Sequence, residues 1–173
     1  EMLSEKIILS VKENTCGLRQ SEAVFQHVMN LSKVCVKIFD KLNEKPCAIG
    51  FSISPCDFEG SYMPCFMVGK MLALSLAAAY KIKCYSFSHQ RGHIMAALFS
   101  AGCLELASNP FLAFHISGGT TDLLLVKPDK EKIVSVTQIG SSLDLKAGQA
   151  VDRVGVMLSL PFPCGKELEI LSE

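Results

Sequence analysis

Apolar and polar residues fall into blocks along this chain, and the period of the blocks changes. Residues 6–11 are short and aliphatic, and predict a strand. Gly17 ends a turn after it. From Ser21 the apolar positions are Val24, Phe25, Val28, Leu31, Val34, Cys35, Ile38, Phe39 and Leu42. That spacing marks one helix face over about six turns. Ser21 is a residue type that caps such a helix. Residues 47–53 predict a second strand, and residues 54–61 a loop. Pro64 suits the first turn of the next helix. The apolar block 63–80 reads as that helix, buried; Pro64, Gly69 and Lys70 interrupt it too often for a membrane span. Residues 83–88 predict a strand, and residues 89–101 a helix that Gly102 stops.

The second half changes character. Residues 111–117 and 121–126 predict strands on either side of Gly118-Gly119-Thr120, a hairpin signal. Residues 132–139 predict a third strand, residues 143–159 a helix and residues 160–165 a loop. Lys166 starts a last helix. Alternating strands and helices followed by a hairpin predict α/β layers. There is no internal repeat or low-complexity segment.

Composition narrows the class. A length of 173 residues, 49% of them apolar, suits one domain or one and a half with a sizeable core. Seventeen basic residues balance seventeen acidic ones, so there is no global charge footprint for nucleic acid or an anionic membrane. A basic patch for a polynucleotide would be local or come from elsewhere. The eight cysteines at 16, 35, 47, 56, 65, 84, 103 and 164 form no C-x-x-C pair and lie mostly in apolar runs. They read as buried, reduced thiols in a cytoplasmic protein. The opening Glu1-Met2-Leu3-Ser4-Glu5-Lys6 is not a signal peptide.

Three segments could carry chemistry. His89 and His93 are four apart, so on a helix both imidazoles leave one face and could share a cation; two surface or capping histidines would look the same. Gly92 beside them lets a backbone or a ligand come close. Gln90 stands where zinc proteases carry the glutamate that takes up a proton, and an amide cannot do so. The second segment is His115-Ile116-Ser117-Gly118-Gly119-Thr120-Thr121-Asp122, where glycines and hydroxyls end a strand. It suits an anion held by backbone N–H groups, or an ordinary hairpin turn. The third is Gly148-Gln149-Ala150-Val151-Asp152-Arg153, with Gly165 beyond it. Asp152 could accept two ribose hydroxyls, or be a solvated charge.

Taken together, these segments resemble one family. Ser88-His89-Gln90-Arg91-Gly92-His93 resembles the His-x-x-Gly-His segment of the TsaD-like glycoprotease family. Ile116-Ser117-Gly118-Gly119-Thr120-Thr121 resembles its Val-Ser-Gly-Gly-His-Thr turn. Gly140-Ser141-Ser142-Leu143-Asp144 through Asp152-Arg153, then Leu160-Pro161-Phe162-Pro163-Cys164-Gly165, resembles its Gly-Glu-Ser-x-Asp-Asp to Leu-x-Tyr-Pro-Gly-Gly run. Order and spacing agree across nearly the whole chain.

The resemblance implies an actin-like ATPase fold, shared with sugar kinases and Hsp70 and ribonuclease-H-like in its core. It implies a first subdomain over 1–110, lacking its opening hairpin, and the start of a second over 111–173. It implies transfer of a threonylcarbamoyl group from its adenylate to a tRNA adenine. His89 and His93 become ligands to iron or zinc, with a distant aspartate as the third. His115, Ile116, Ser117, Gly118 and Gly119 become contacts to ATP or the acyl-adenylate. Asp152 becomes the ribose contact and Gly165 a later nucleotide contact. No catalytic residue is assigned. Expected partners are the nucleotide, tRNA, and an actin-like-fold protein or a second copy of the chain, with no membrane.

Departures from the family pattern are as informative. Thr120 stands for a histidine, Ser141 and Gln149 for glutamates and Leu145 for an aspartate. Of a Ser-Arg-x-His segment, Val24-Phe25-Gln26-His27 retains only the histidine, and residues 57–64 replace a glycine-rich loop. A scaffold kept with fewer polar groups describes a divergent paralogue. Two readings follow: a metal- and ATP-dependent transferase, or a non-catalytic nucleotide-binding paralogue acting through a protein partner. The historical metallopeptidase label is disfavoured by Gln90. The family's opening Gly-Ile-(Asp/Glu)-Thr-Ser strand and its third metal ligand are not in this sequence. It therefore reads as a fragment truncated at both ends, expected to be inactive and metal-poor, and to self-associate through the edge of strand 6–11 or through the end near Glu173.

Overall fold

The computed structural model describes residues 2–11 and 18–172, so Cys16 and the turn expected at Gly17 lie outside the described residues. The chain gathers into two compact units, Glu1–Gly92 and His93–Glu173.

The first unit is built around a β-α-β step. Helix α1 (Gln20–Phe39) precedes strand β1 (Ala48–Ser54), helix α2 (Phe66–Tyr80) and strand β2 (Lys83–Ser88). β1 and β2 pair in parallel, from Ala48 opposite Lys83 to Ser54 opposite Ser88. Parallel neighbours need a crossover, and α2 supplies it. The helix packs on β1 and buries Val68, Ala73 and Ala77. Ala23 of α1 is buried, and Phe39 stacks on Tyr80 with ring centroids 6.3 Å apart, which ties the ends of α1 and α2.

Two expectations for this unit are corrected. Residues 6–11 form no strand. The Gln26 side chain accepts from Ser10 N at 2.8 Å and donates to Ser10 O at 2.9 Å, so an amide on α1 satisfies the groups a neighbouring strand would have paired. Ser21 does not cap α1: the helix begins one residue earlier, behind Arg19, with no side-chain cap.

The second unit is a three-stranded antiparallel sheet with helices. Helix α3 (His89–Ser100), which begins in the first unit, leads through a 3₁₀ turn (Leu104–Ser108) to β3 (Phe111–Ile116), β4 (Thr121–Asp129) and β5 (Ile133–Ser141). Gly102 ends α3 as expected, at φ +68°; the 3₁₀ turn has no periodic signature in the sequence. The sheet order is β3-β4-β5, with a register shift between Leu123 and Leu124. Period-two alternation decides which residues go inside. Leu124, Val126, Val134 and Val136 pack with Ile94 and Leu98 of α3. On the opposite face of β3, Leu112, Phe114 and Ile116 are exposed.

Helices α4 (Ala147–Met157) and α5 (Gly165–Ser172) complete the unit. α4 starts four residues later than its apolar pattern predicts, because its cap is tertiary. Thr121 Oγ1 of β4 accepts from Ala147 N at 2.8 Å, and Ser117 O accepts from Gly148 N at 3.3 Å. The residues just before α4 are held in a turn in which the Ser142 hydroxyl donates to Leu145 O. Among the described residues no helix is long and apolar enough to cross a membrane.

Candidate functional site

β2 runs into α3 without a loop: Ser88 ends the strand and His89 opens the helix. The first turn of α3 is tied down by contacts that sequence reasoning did not foresee. Gln90 N donates to Pro55 O at 2.9 Å, and Arg91 N donates to Ser88 Oγ at 3.1 Å. The Arg91 guanidinium holds Asp57 bidentately, Nε to Oδ2 at 3.2 Å and Nη2 to Oδ1 at 2.5 Å. Both side chains are nearly buried, 8% and 14% exposed. With Gln90 and Arg91 turned inward, His89 and His93 face outward one helical turn apart. The Phe66 ring meets His89 edge-on, with centroids 5.7 Å apart. Where a backbone or a ligand was expected to come close to Gly92, the neighbour is the Phe87 side chain: a Cβ there would lie 3.3 Å from its Cε2.

β3 brings His115 to His93. The alternation that turns Phe111 and Ala113 toward the core turns His115 the same way. Its ring centroid lies 5.5 Å from that of His93, with the planes tilted by 36°. Asp122 sits across the ladder from His115, is itself buried, and accepts from Gln138 Nε2 at 3.0 Å. Burial first, then the neighbouring His93, push the His115 imidazole below its ordinary range, while the Asp122 carboxylate pulls it up. The His115 Nδ1 is buried with no hydrogen-bond partner among the described residues.

The Ser117-Gly118-Gly119 turn joins β3 to β4. Ser117 N donates to Thr120 O at 2.9 Å. The Ser117 hydroxyl accepts from Gly119 N at 3.2 Å and Thr120 N at 3.0 Å, and is hydrogen-bonded to Thr120 Oγ1 at 2.7 Å, where either hydroxyl can donate. The turn is braced from behind by Gly148 of α4, where a Cβ would come within 2.7 Å of Gly118 Cα, Gly118 N and Ser117 O. On its other side it is open: a Cβ on Gly118 or Gly119 would meet nothing within 4 Å. Ile116 points its side chain to solvent on the sheet's outer face, so any ligand contact it makes at the turn is through its backbone.

Asp152 is not a solvated charge. It is half-buried on α4, and its Oδ1 accepts from Cys164 N at 2.9 Å, which holds the loop before Gly165. Cys164 is fully buried and packs so closely on Gly155 that a Cβ there would overlap it. Burial, then the Asp152 charge, push the Cys164 thiol up, so it stays protonated. Gly165 opens α5, exposed, at the end of this loop.

The structure thus brings His93 to His115, the glycine turn to the start of α4, and Asp152 to the loop before Gly165. Among the described residues it gathers no three His, Cys, Asp or Glu side chains into a metal cluster.

A family model described as TsaD, tRNA N6-adenosine threonylcarbamoyltransferase, matches residues 2–173. The chain belongs to the TsaD family. Its relatives include the tRNA N6-adenosine threonylcarbamoyltransferase of Chlorobium chlorochromatii, 36% identical over 108 residues, which are 62% of this chain and 30% of that protein. The enzyme of the same name from Enterococcus faecalis is 38% identical over 106 residues, 61% of this chain and 28% of that protein. That of Oenococcus oeni is 37% identical over 103 residues, 60% of this chain and 28% of that protein. The matched segment thus spans less than a third of the length of these relatives. The fold of the TsaD family is the actin-like ATPase, ribonuclease-H-like fold, and the parallel β-α-β step and the antiparallel sheet are its mixed α/β elements.

Proposed function

We propose that this TsaD-family chain carries the metal-binding helix and the nucleotide turn of a tRNA N6-threonylcarbamoyladenosine transferase. In this reading residues 1–110 belong to the first actin-like subdomain and residues 111–173 to the second. His89 and His93 hold one Fe or Zn ion; His115, Ile116, Ser117, Gly118, Gly119, Asp152 and Gly165 face ATP or the acyl-adenylate. The metal, when bound, supplies Lewis-acid polarisation of the carbamoyl carbonyl. The observation that carries the reading is the path of β3. The strand that ends in the Ser-Gly-Gly turn passes α3 with His115 5.5 Å from His93, so within the second unit the nucleotide strand adjoins one of the two expected metal ligands.

Both groups fit the residues present. The buried, unpartnered Nδ1 of His115 beside His93 suits a nearby cation, and the open side of Gly118 and Gly119 admits a phosphate. The Ser117 hydroxyl collects the amides of Gly119 and Thr120, so an arriving phosphate takes over donors already aimed together. The seven cysteines among the described residues are free thiols, which supports a reducing, cytoplasmic setting.

The test is elemental analysis and nucleotide calorimetry on the protein and on a His89→Ala/His93→Ala variant. We expect whatever iron or zinc the protein holds to be lost in the folded variant. Unchanged metal content in the variant would sink the assignment. ATP binding without transfer to tRNA would instead assign the chain to a nucleotide-holding paralogue.

A further inference from the structure

An α-helix leaves the N–H groups of its first turn without partners inside the helix, and at α3 they find partners outside it. Arg91 N donates to Ser88 Oγ at 3.1 Å. Gln90 N donates to Pro55 O at 2.9 Å, a carbonyl in the loop after β1. That loop is closed on itself: Ser54 Oγ donates to Cys56 O at 2.9 Å, and Cys56 N donates to Ser61 Oγ at 2.9 Å. Asp57 is carried on it, and its carboxylate takes both prongs of the Arg91 guanidinium. A fork on two oxygens fixes direction as well as distance, which a single point charge does not. Asp57 opens the stretch in which this sequence departs from the family's glycine-rich loop.

What this clamp carries is His89. Its side chain is exposed, and an exposed side chain ordinarily hops between rotamers. Here the Phe66 ring meets it edge-on, with centroids 5.7 Å apart. Phe66 opens α2 at the far end of the same connection. The contact holds only while the first turn of α3 stays at a set distance from the start of α2, and the loop between them sets it. We propose that Asp57 and Arg91 are positioning residues: they clamp the loop 54–61 to the first turn of α3 and so seat the His89 imidazole against Phe66. The inference goes beyond the proposed function, because it concerns how His89 is set before any ligand arrives. A side chain already ordered loses less freedom on binding.

The probe is the His89 ring itself. An aromatic ring displaces the proton resonances of a group packed against it, and the chain has only four histidines, at 27, 89, 93 and 115, so each can be read by NMR. We expect the His89 ring protons of the unaltered chain, with no metal added, to be displaced from those of free histidine, and Phe66→Leu to remove the displacement. We expect Arg91→Lys, which keeps the charge but has no fork, to lose at least half of it, with circular dichroism and the His27 resonances unchanged. Full displacement in folded Arg91→Lys would show that the pair stabilises the fold without placing His89, and the inference fails. A His89 that is undisplaced in the unaltered chain, or displaced as before in Phe66→Leu, overturns it as well. Should Arg91→Lys not fold, Asp57→Leu/Arg91→Met, which leaves no charge buried, decides by the same readout. Metal content does not enter, so a chain that binds neither iron nor zinc sinks the metal reading and leaves this test intact.

Discussion

Single residues here separate ligand binding from folding. Gly119 lies in the turn, and Gly148 of α4 packs against the back of it. A side chain on Gly119 meets nothing within 4 Å, and the backbone there does not need a positive φ. Gly119→Val should therefore fold normally, yet place a branched group where a phosphate would approach. We expect its affinity for ATP or ADP to fall at least tenfold, about 1.4 kcal/mol, by calorimetry, with an unchanged unfolding midpoint; equal affinity would refute the nucleotide role of the turn. Gly148→Ala does the reverse. Its Cβ would lie 2.7 Å from three backbone atoms that cannot swing aside. Denaturant titration should show a loss of about 1–3 kcal/mol, the usual range for overpacking.

At the scale of elements, α3 is positioned by a loop far away in sequence. Asp57 and Arg91 are 34 residues apart and form a two-pronged ion pair at the first turn of the helix. Because both are nearly buried, removing one partner leaves a buried charge, which costs about 3–5 kcal/mol, whereas removing both costs far less. Urea unfolding of Asp57→Ala, Arg91→Met and the double variant should show this non-additivity; additive losses would mean that the pair is not coupled. Since the pair holds the turn that carries His89, we also expect Asp57→Ala to weaken metal binding where a surface substitution such as Lys132→Ala does not.

At the scale of the molecule, the outer face of the second unit stands out. Leu112, Phe114 and Ile116 are 61%, 74% and 58% exposed, on a strand at the edge of its sheet. The formal net charge is zero. An apolar edge without charge repulsion favours association between chains. Residues 6–11, one of the two places expected to drive self-association, form no ladder, and the exposed face of β3 is a further candidate. We expect light scattering to show species larger than a monomer that grow with concentration, and Phe114→Lys to shift them toward monomer. A chain that is monomeric at every concentration would refute this.

What the sequence determined by itself follows from local periodicity and short-range chemistry. The strand 83–88 matches β2 residue for residue, and the stop at Gly102 and the hairpin at Gly118-Gly119 stand where they were expected. Period and turn chemistry act within a few residues, and so does the His-x-x-Gly-His spacing. Family membership was legible for a related reason: it rests on the order of short motifs. Only the tertiary structure decided the rest. Residues 6–11 are aliphatic enough for a strand, but they form none, and a glutamine side chain answers the backbone of Ser10. The start of α4 depends on Thr121 and Ser117, which arrive from the hairpin. The pairings of Arg91 with Asp57 and of His93 with His115 join residues 34 and 22 positions apart. Nothing within a helical turn or a strand pair encodes those contacts; they exist because burying the apolar faces of α2 and α3 fixes which polar groups are carried along and must find partners.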